Sequence, residues 1–171
     1  MLGGDEGVGT LLLAMFAIGV GLGALLVGYG SRGRILPQIA PLAALAIVLI
    51  SIIWHFLAVG FTPAATPSLQ AFLRQPGALG IVLCVGFTGV AGGLYIVPLY
   101  SYLQQRAPAP TRARIIGALN VVSSLFMIGG ALLAMALFGV FAIKLTTFFL
   151  LFGLSGLLIG LAAMIIPNDW P

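Results

Sequence analysis

The chain has 171 residues, of which 61% are hydrophobic and 6% charged, and its formal net charge is +4. So few charges cannot cover the surface of a soluble domain of this length, which excludes that class and points to a chain solvated by lipid. The basic excess does not argue for a nucleic-acid partner, because the basic residues sit in short loops between apolar runs, where topology determinants are placed.

A helix needs roughly 20 apolar residues to cross the hydrocarbon, and five runs are long enough. Spans are expected at 10–29, 36–60, 78–103, 115–138 and 145–166, none containing Asp, Glu, Lys or Arg. None alternates like a barrel strand, and backbone groups in lipid must be satisfied within their own segment, so the expected class is an all-α membrane protein. The whole chain reads as a single transmembrane domain.

The first run follows Asp5 and Glu6 rather than a basic region, so it is not an evident signal peptide. It holds Gly19, Gly21, Gly23 and Gly28, a density that predicts close neighbours on more than one side. Gly19 and Gly23 form a GxxxG pair, as do Gly89 and Gly93, and Gly156 and Gly160. The plain reading of these pairs is helix packing, and the sharper one is a surface that slides during transport. Gly28 to Arg34 is a Gly-rich turn with Arg32 and Arg34, followed by the second run, near whose end Trp54 and His55 are expected at the membrane interface. The stretch 62–77, with Pro63, Pro67 and Pro76, reads as a long loop.

The third run contains Cys84 and ends in Gly92-Gly93-Leu94-Tyr95-Ile96-Val97-Pro98-Leu99-Tyr100. Pro98 removes a backbone hydrogen bond and allows a kink, and a kinked, Gly-rich helix with tyrosines can line a cavity. The loop carrying Arg106, Pro108, Pro110, Arg112 and Arg114 leads into the fourth run, where Asn120 lies a turn and a half inside. A lone Asn in a span either fastens a neighbouring helix or meets substrate. Residues 139–144 are short enough to close an antiparallel hairpin onto the fifth run, and Trp170 falls just past that run's end.

Sidedness follows from the basic residues. Arg32, Arg34, Arg106, Arg112 and Arg114 share one side, while Arg74, Lys144, Asp5 and Glu6 share the other. The positive-inside rule puts the arginine loops in the cytoplasm, the N-terminus outside and the C-terminus inside. His55 and Cys84 have no partners at metal-ligand spacing, no serine has a partnered base, and no phosphate-binding loop is present. No enzyme, metal or cofactor is expected.

The segment Gly28, Arg32, Gly33 and Arg34 resembles the G-x-x-x-D-R-x-G-R-R loop between paired helices of major facilitator carriers, with Ser31 at the acidic position. Gly3-Gly4-Asp5-Glu6, Ser31 to Arg34, Gly92 to Tyr100 with Gln104-Gln105-Arg106, and Arg112 to Ile116 occur in this order. Together they resemble the C-terminal half of the lysophospholipid transporter family of the major facilitator superfamily, over nearly the whole chain. Leu119 departs from the paired asparagines that the family tends to carry there. The resemblance implies helices eight to twelve of a twelve-helix protein. It also implies movement of lysophospholipid towards the inner leaflet of a bacterial inner membrane. The implied partners are the bilayer, the substrate, an N-terminal helix bundle of the same transporter and an acyltransferase module. Tyr95, Pro98 and Asn120 are the substrate-path candidates, and an odd span count with an outside N-terminus suits a piece of such a carrier. The competing readings are a five-helix structural or partner-binding subunit and a carrier for another small molecule.

Overall fold

The computed structural model describes residues 5–30, 38–61, 68–140, 143, 147–148, 150–151 and 153–156. Its elements are α1 (Glu6–Gly30), α2 (Ile39–Gly60), α3 (Leu69–Leu73), α4 (Ala78–Arg106) and α5 (Arg112–Gly139). The protein is all-helical among the described residues, and α1, α2, α4 and α5 are each long and apolar enough to span a membrane. These four match the first four expected spans, with ends displaced by a few residues. Most of the fifth expected span, 145–166, lies outside the described residues; the described positions from 147 to 156 are helical.

The fold is organised on α4, against which both α1 and α2 pack. The stripe of α1 that turns inward is Val8, Leu12, Met15, Gly19, Gly23 and Val27, spaced by three or four residues as one helix face requires. On α4 the matching positions are Gly86, Gly89 and Gly93, all buried. A Cβ added to Gly19 would overlap the Gly86 carbonyl oxygen, and one on Gly23 would overlap that of Val90. From the other side, a Cβ on Gly89 would overlap the Phe16 carbonyl oxygen, and one on Gly93 would reach 2.5 Å from that of Val20. The two GxxxG pairs therefore face each other, and backbone lies directly on backbone. Positions rise together along both helices, Met15 beside Gly86 and Gly23 beside Gly93, so α1 and α4 run parallel.

Among the described residues the close glycine approach of α1 is made on the side that faces α4. Gly21 and Gly28 lie off the α4-facing stripe, and a Cβ at either would meet nothing within 4 Å. The glycines needed for close approach are those on the face shared with α4.

α2 runs antiparallel to α4, since Leu57 near its end lies against Gly80 near the start of α4, 3.3 Å from the site of an added Cβ. Gly153 approaches α2 at Ser51, and Gly156 approaches it at Val48, so the helical residues after α5 run antiparallel to α2. The Phe138 and Phe148 rings meet at a tilt, 4.9 Å between centres, which fits the expected hairpin after α5.

The stretch 62–77 is not all loop. α3 lies within it, and Phe72, 0% exposed, sits in a cluster with Val8, Trp54, Phe61, Ala78, Ile81, Val82 and Cys84. Trp54, near the end of α2, is packed into this cluster. The reason is local: α3 folds over the ends of α1, α2 and α4 and brings its own aromatic ring to cover them.

This geometry separates the glycines by sign. Gly89→Ala should destabilise the protein by about 1–3 kcal/mol, because overpacking a seam with no room forces the backbones apart. Gly21→Ala, into open space, should stabilise it by up to about 1 kcal/mol through helix propensity. Thermal melting of the two variants in the same detergent checks this, and equal responses would contradict the seam.

Candidate functional site

The residues singled out for a transport path fall on two helices that are packed very differently. Tyr95 and Pro98 lie on α4, three residues apart and just beyond the glycine seam. Pro98 is fully buried, and α4 remains helical through it as far as Arg106. Its ring leaves the Leu94 carbonyl without the usual helical donor. Cys84, Ala91 and Pro98 are buried at seven-residue intervals, a row on the same side as Gly80, which meets α2 at Leu57. Pro98 thus belongs to the face packed towards α2. Tyr95 stands beside that row, half-buried, on the side of α4 away from the glycines.

Asn120 is placed otherwise. It is exposed on α5, a helix with no buried residue, which shares no packed interface with α1, α2 or α4. Gly117, Asn120 and Ser124 lie on one face at helical spacing, all exposed. The Ser124 hydroxyl donates to the Asn120 backbone carbonyl at 2.9 Å, a bond within the helix that leaves the Asn120 side-chain amide to other partners. The structure brings Tyr95 and Pro98 onto one helix and does not bring Asn120 against them.

The arginine-bearing turn between α4 and α5 is compact. Ala107 N–H donates to Leu103 O at 3.0 Å, Thr111 N–H to Pro108 O at 3.0 Å, and Ile115 N–H to Thr111 O at 3.0 Å. Arg106 closes the last turn of α4, where a cation complements the negative end of the helix dipole. Its guanidinium lies 5.3 Å from the centre of the Tyr102 ring, within cation–π range. Arg112 donates to Ala107 O at 3.5 Å, and Arg112 and Arg114 are exposed in the first turn of α5. In the other arginine motif, Gly28 closes the last turn of α1, while Arg32, Gly33 and Arg34 lie outside the described residues.

Among the described residues no group of three or more His, Cys, Asp or Glu is placed to hold a metal ion, and no polar or charged residue belongs to the buried core. Sequence reasoning missed two structural positions that matter: Gly86, which extends the α4 seam by one turn, and Phe72. Leu69, Phe72 and Leu73 follow the i, i+3, i+4 pattern of a helix face, a signal available between the prolines. No family model, curated protein or solved structure matches this chain.

The placement of Asn120 makes a direct prediction. Asn120→Leu should leave the stability of this chain within about 0.5 kcal/mol, as expected of an exposed position with no packed neighbour. A loss of 2 kcal/mol or more, the ~2 kcal/mol scale of a broken buried contact, measured by thermal or denaturant unfolding in detergent, would show that its amide fastens helices.

Proposed function

We propose that this chain forms five transmembrane helices of a major facilitator-type carrier that moves lysophospholipid across or between the leaflets of a bacterial inner membrane. The observation that carries the reading is α5, which is apolar enough to span, has no buried residue, and presents Gly117, Asn120 and Ser124 on one exposed face. An amide inside a membrane is costly against lipid and normally turns towards protein or a water-filled cavity. Carriers of this type pack two helix bundles around a site near the midplane. A helix that leaves a polar face open beside a tightly packed α1–α2–α4 unit suits the wall of such a site, and an N-terminal bundle of the same transporter suits its other side.

In this reading Asn120 and Tyr95 supply hydrogen-bonding groups for the glycerophosphate head, while the acyl chain lies along apolar walls. The arginine turns face the cytoplasm, the N-terminus lies outside, and an acyltransferase module that reacylates the product is the accompanying partner. The described helices hold no carboxylate away from the first turn of α1. Proton coupling through an intramembrane carboxylate therefore falls to residues of the other bundle.

Two measurements test this. In the full-length protein, Asn120→Ala and Tyr95→Phe should each lower lysophospholipid uptake into vesicles by about tenfold, the scale of one lost charge-assisted hydrogen bond. Protein level and melting temperature should stay constant. Loss of activity in proportion to stability would make both residues structural. In a Cys84→Ala background, cysteines at Ser31 and Thr111 should be shielded from an impermeant thiol reagent in intact cells, and one at Thr66 should be labelled. The reverse pattern would invert the orientation.

A further inference from the structure

The end of the bundle away from Arg106 and Arg112 is closed by residues 68–77, with Phe72 buried at their centre. Phe72 of α3 is 0% exposed, and its ring meets Phe61 at the end of α2 edge-on, 5.7 Å between centres. It shares its cluster with Val8 of α1, Trp54 of α2, and Ala78, Ile81, Val82 and Cys84 of α4. Leu69 reaches the first turn of α1, its Cβ lying 3.6 Å from where a Cβ on Gly7 would stand. Gln70, Ala71, Leu73 and Arg74 are exposed.

α3 is short. It is a single helical turn of five residues, and Ser68 at its start makes no side-chain cap; one turn this short does not persist in isolation. After it the chain reverses through Gln75, Pro76 and Gly77, with Gly77 at φ 90°, a conformation that glycine adopts without steric cost. Within the reversal one group opposes the closed arrangement. The Gln75 side-chain oxygen is buried and accepts no hydrogen bond from the described residues, although the Gln75 backbone is paired through Phe72 O and Ala78 N–H. A buried acceptor without a donor has lost its water and gained nothing in return.

We propose that residues 68–77 form a strap that opens and closes over the apolar end of the α1–α2–α4 unit, pivoting at Gly77. Phe72 holds it shut, and the unpartnered Gln75 carbonyl favours release. When the strap lifts, the Gln75 amide regains water, and Leu69, Phe72 and the Phe61 ring are uncovered.

Cys84, the chain's one cysteine, is buried on the side of α4 that faces α2, so the reporter is a cysteine in place of Leu69, which the strap lays against the first turn of α1, in a Cys84→Ala background. The test measures the rate at which N-ethylmaleimide labels that cysteine in the purified protein in detergent micelles, with the SDS-denatured chain as the upper limit. Phe72→Ala should raise the rate by about tenfold or more, since it removes a large buried ring. Gln75→Leu should lower it by on the order of fivefold, because closure no longer strands a polar atom. The opposite signs separate a strap from a general loosening of the fold, which would raise both rates. Unchanged labelling in Phe72→Ala, or faster labelling in Gln75→Leu, would overturn the proposal.

Discussion

The contact on which the structure depends is the one between Gly19 and Gly23 of α1 and Gly86, Gly89 and Gly93 of α4. Between lipid-solvated helices there is little hydrophobic drive to associate, since hydrocarbon is as good a solvent for leucine as another helix is. Stability has to come from close packing, and only glycine lets two backbones meet without side chains between them. The seam therefore fixes which face of each helix turns inward, sets α1 and α4 parallel, and leaves the other sides of α4 for α2. The strap then covers a junction that the seam has already assembled.

Electrostatics follows a different logic from packing. Arg106 lies where the α4 dipole favours a cation, whereas Arg112 and Arg114 lie in the first turn of α5, where the dipole opposes one. Each unfavourable placement costs about 0.3–1 kcal/mol at an exposed site. No acidic residue occupies that first turn to offset it. Helix stability cannot be the reason for arginines at these positions. Their grouping on one short turn, between two helices long enough to span, is accounted for by the boundary between hydrocarbon and water, which charged heads must not cross.

Much of this was legible in the sequence, for identifiable reasons. Four spans could be read because length and apolarity alone determine a membrane helix, and Arg106 and Arg112 punctuate them. The GxxxG pairs were visible too, but not that the first two pairs face each other: a glycine spacing names a face without naming its partner. For the same reason Gly21 and Gly28 looked equivalent to Gly19 and Gly23, although only the phase of the helix distinguishes them. Phe72 was hidden by its prolines. Pro63, Pro67 and Pro76 signalled a loop, and one helical turn between them is too short for hydrophobic periodicity to stand out. For the candidate site, Pro98 could be read as a helix irregularity but not as a packed one. The exposure of Asn120 goes with α5 sharing no packed interface with α1, α2 or α4, which no local pattern encodes.

The parallel seam also has a consequence for how the protein is made. Gly19 and Gly89 are separated by 70 residues of sequence. At a synthesis rate of about 5–20 residues per second, α1 emerges roughly 4–14 seconds before its partner glycines exist. During that interval its glycine face has only lipid, or the insertion machinery, against it. α2 arrives first but packs on α4, so it gives α1 no substitute. The fold thus has a long-range contact at its centre and a waiting step in its biogenesis. Slowing translation between α2 and α4 would lengthen the time for which a helix able to pair through its glycines with any small-residue neighbour stands alone in the membrane.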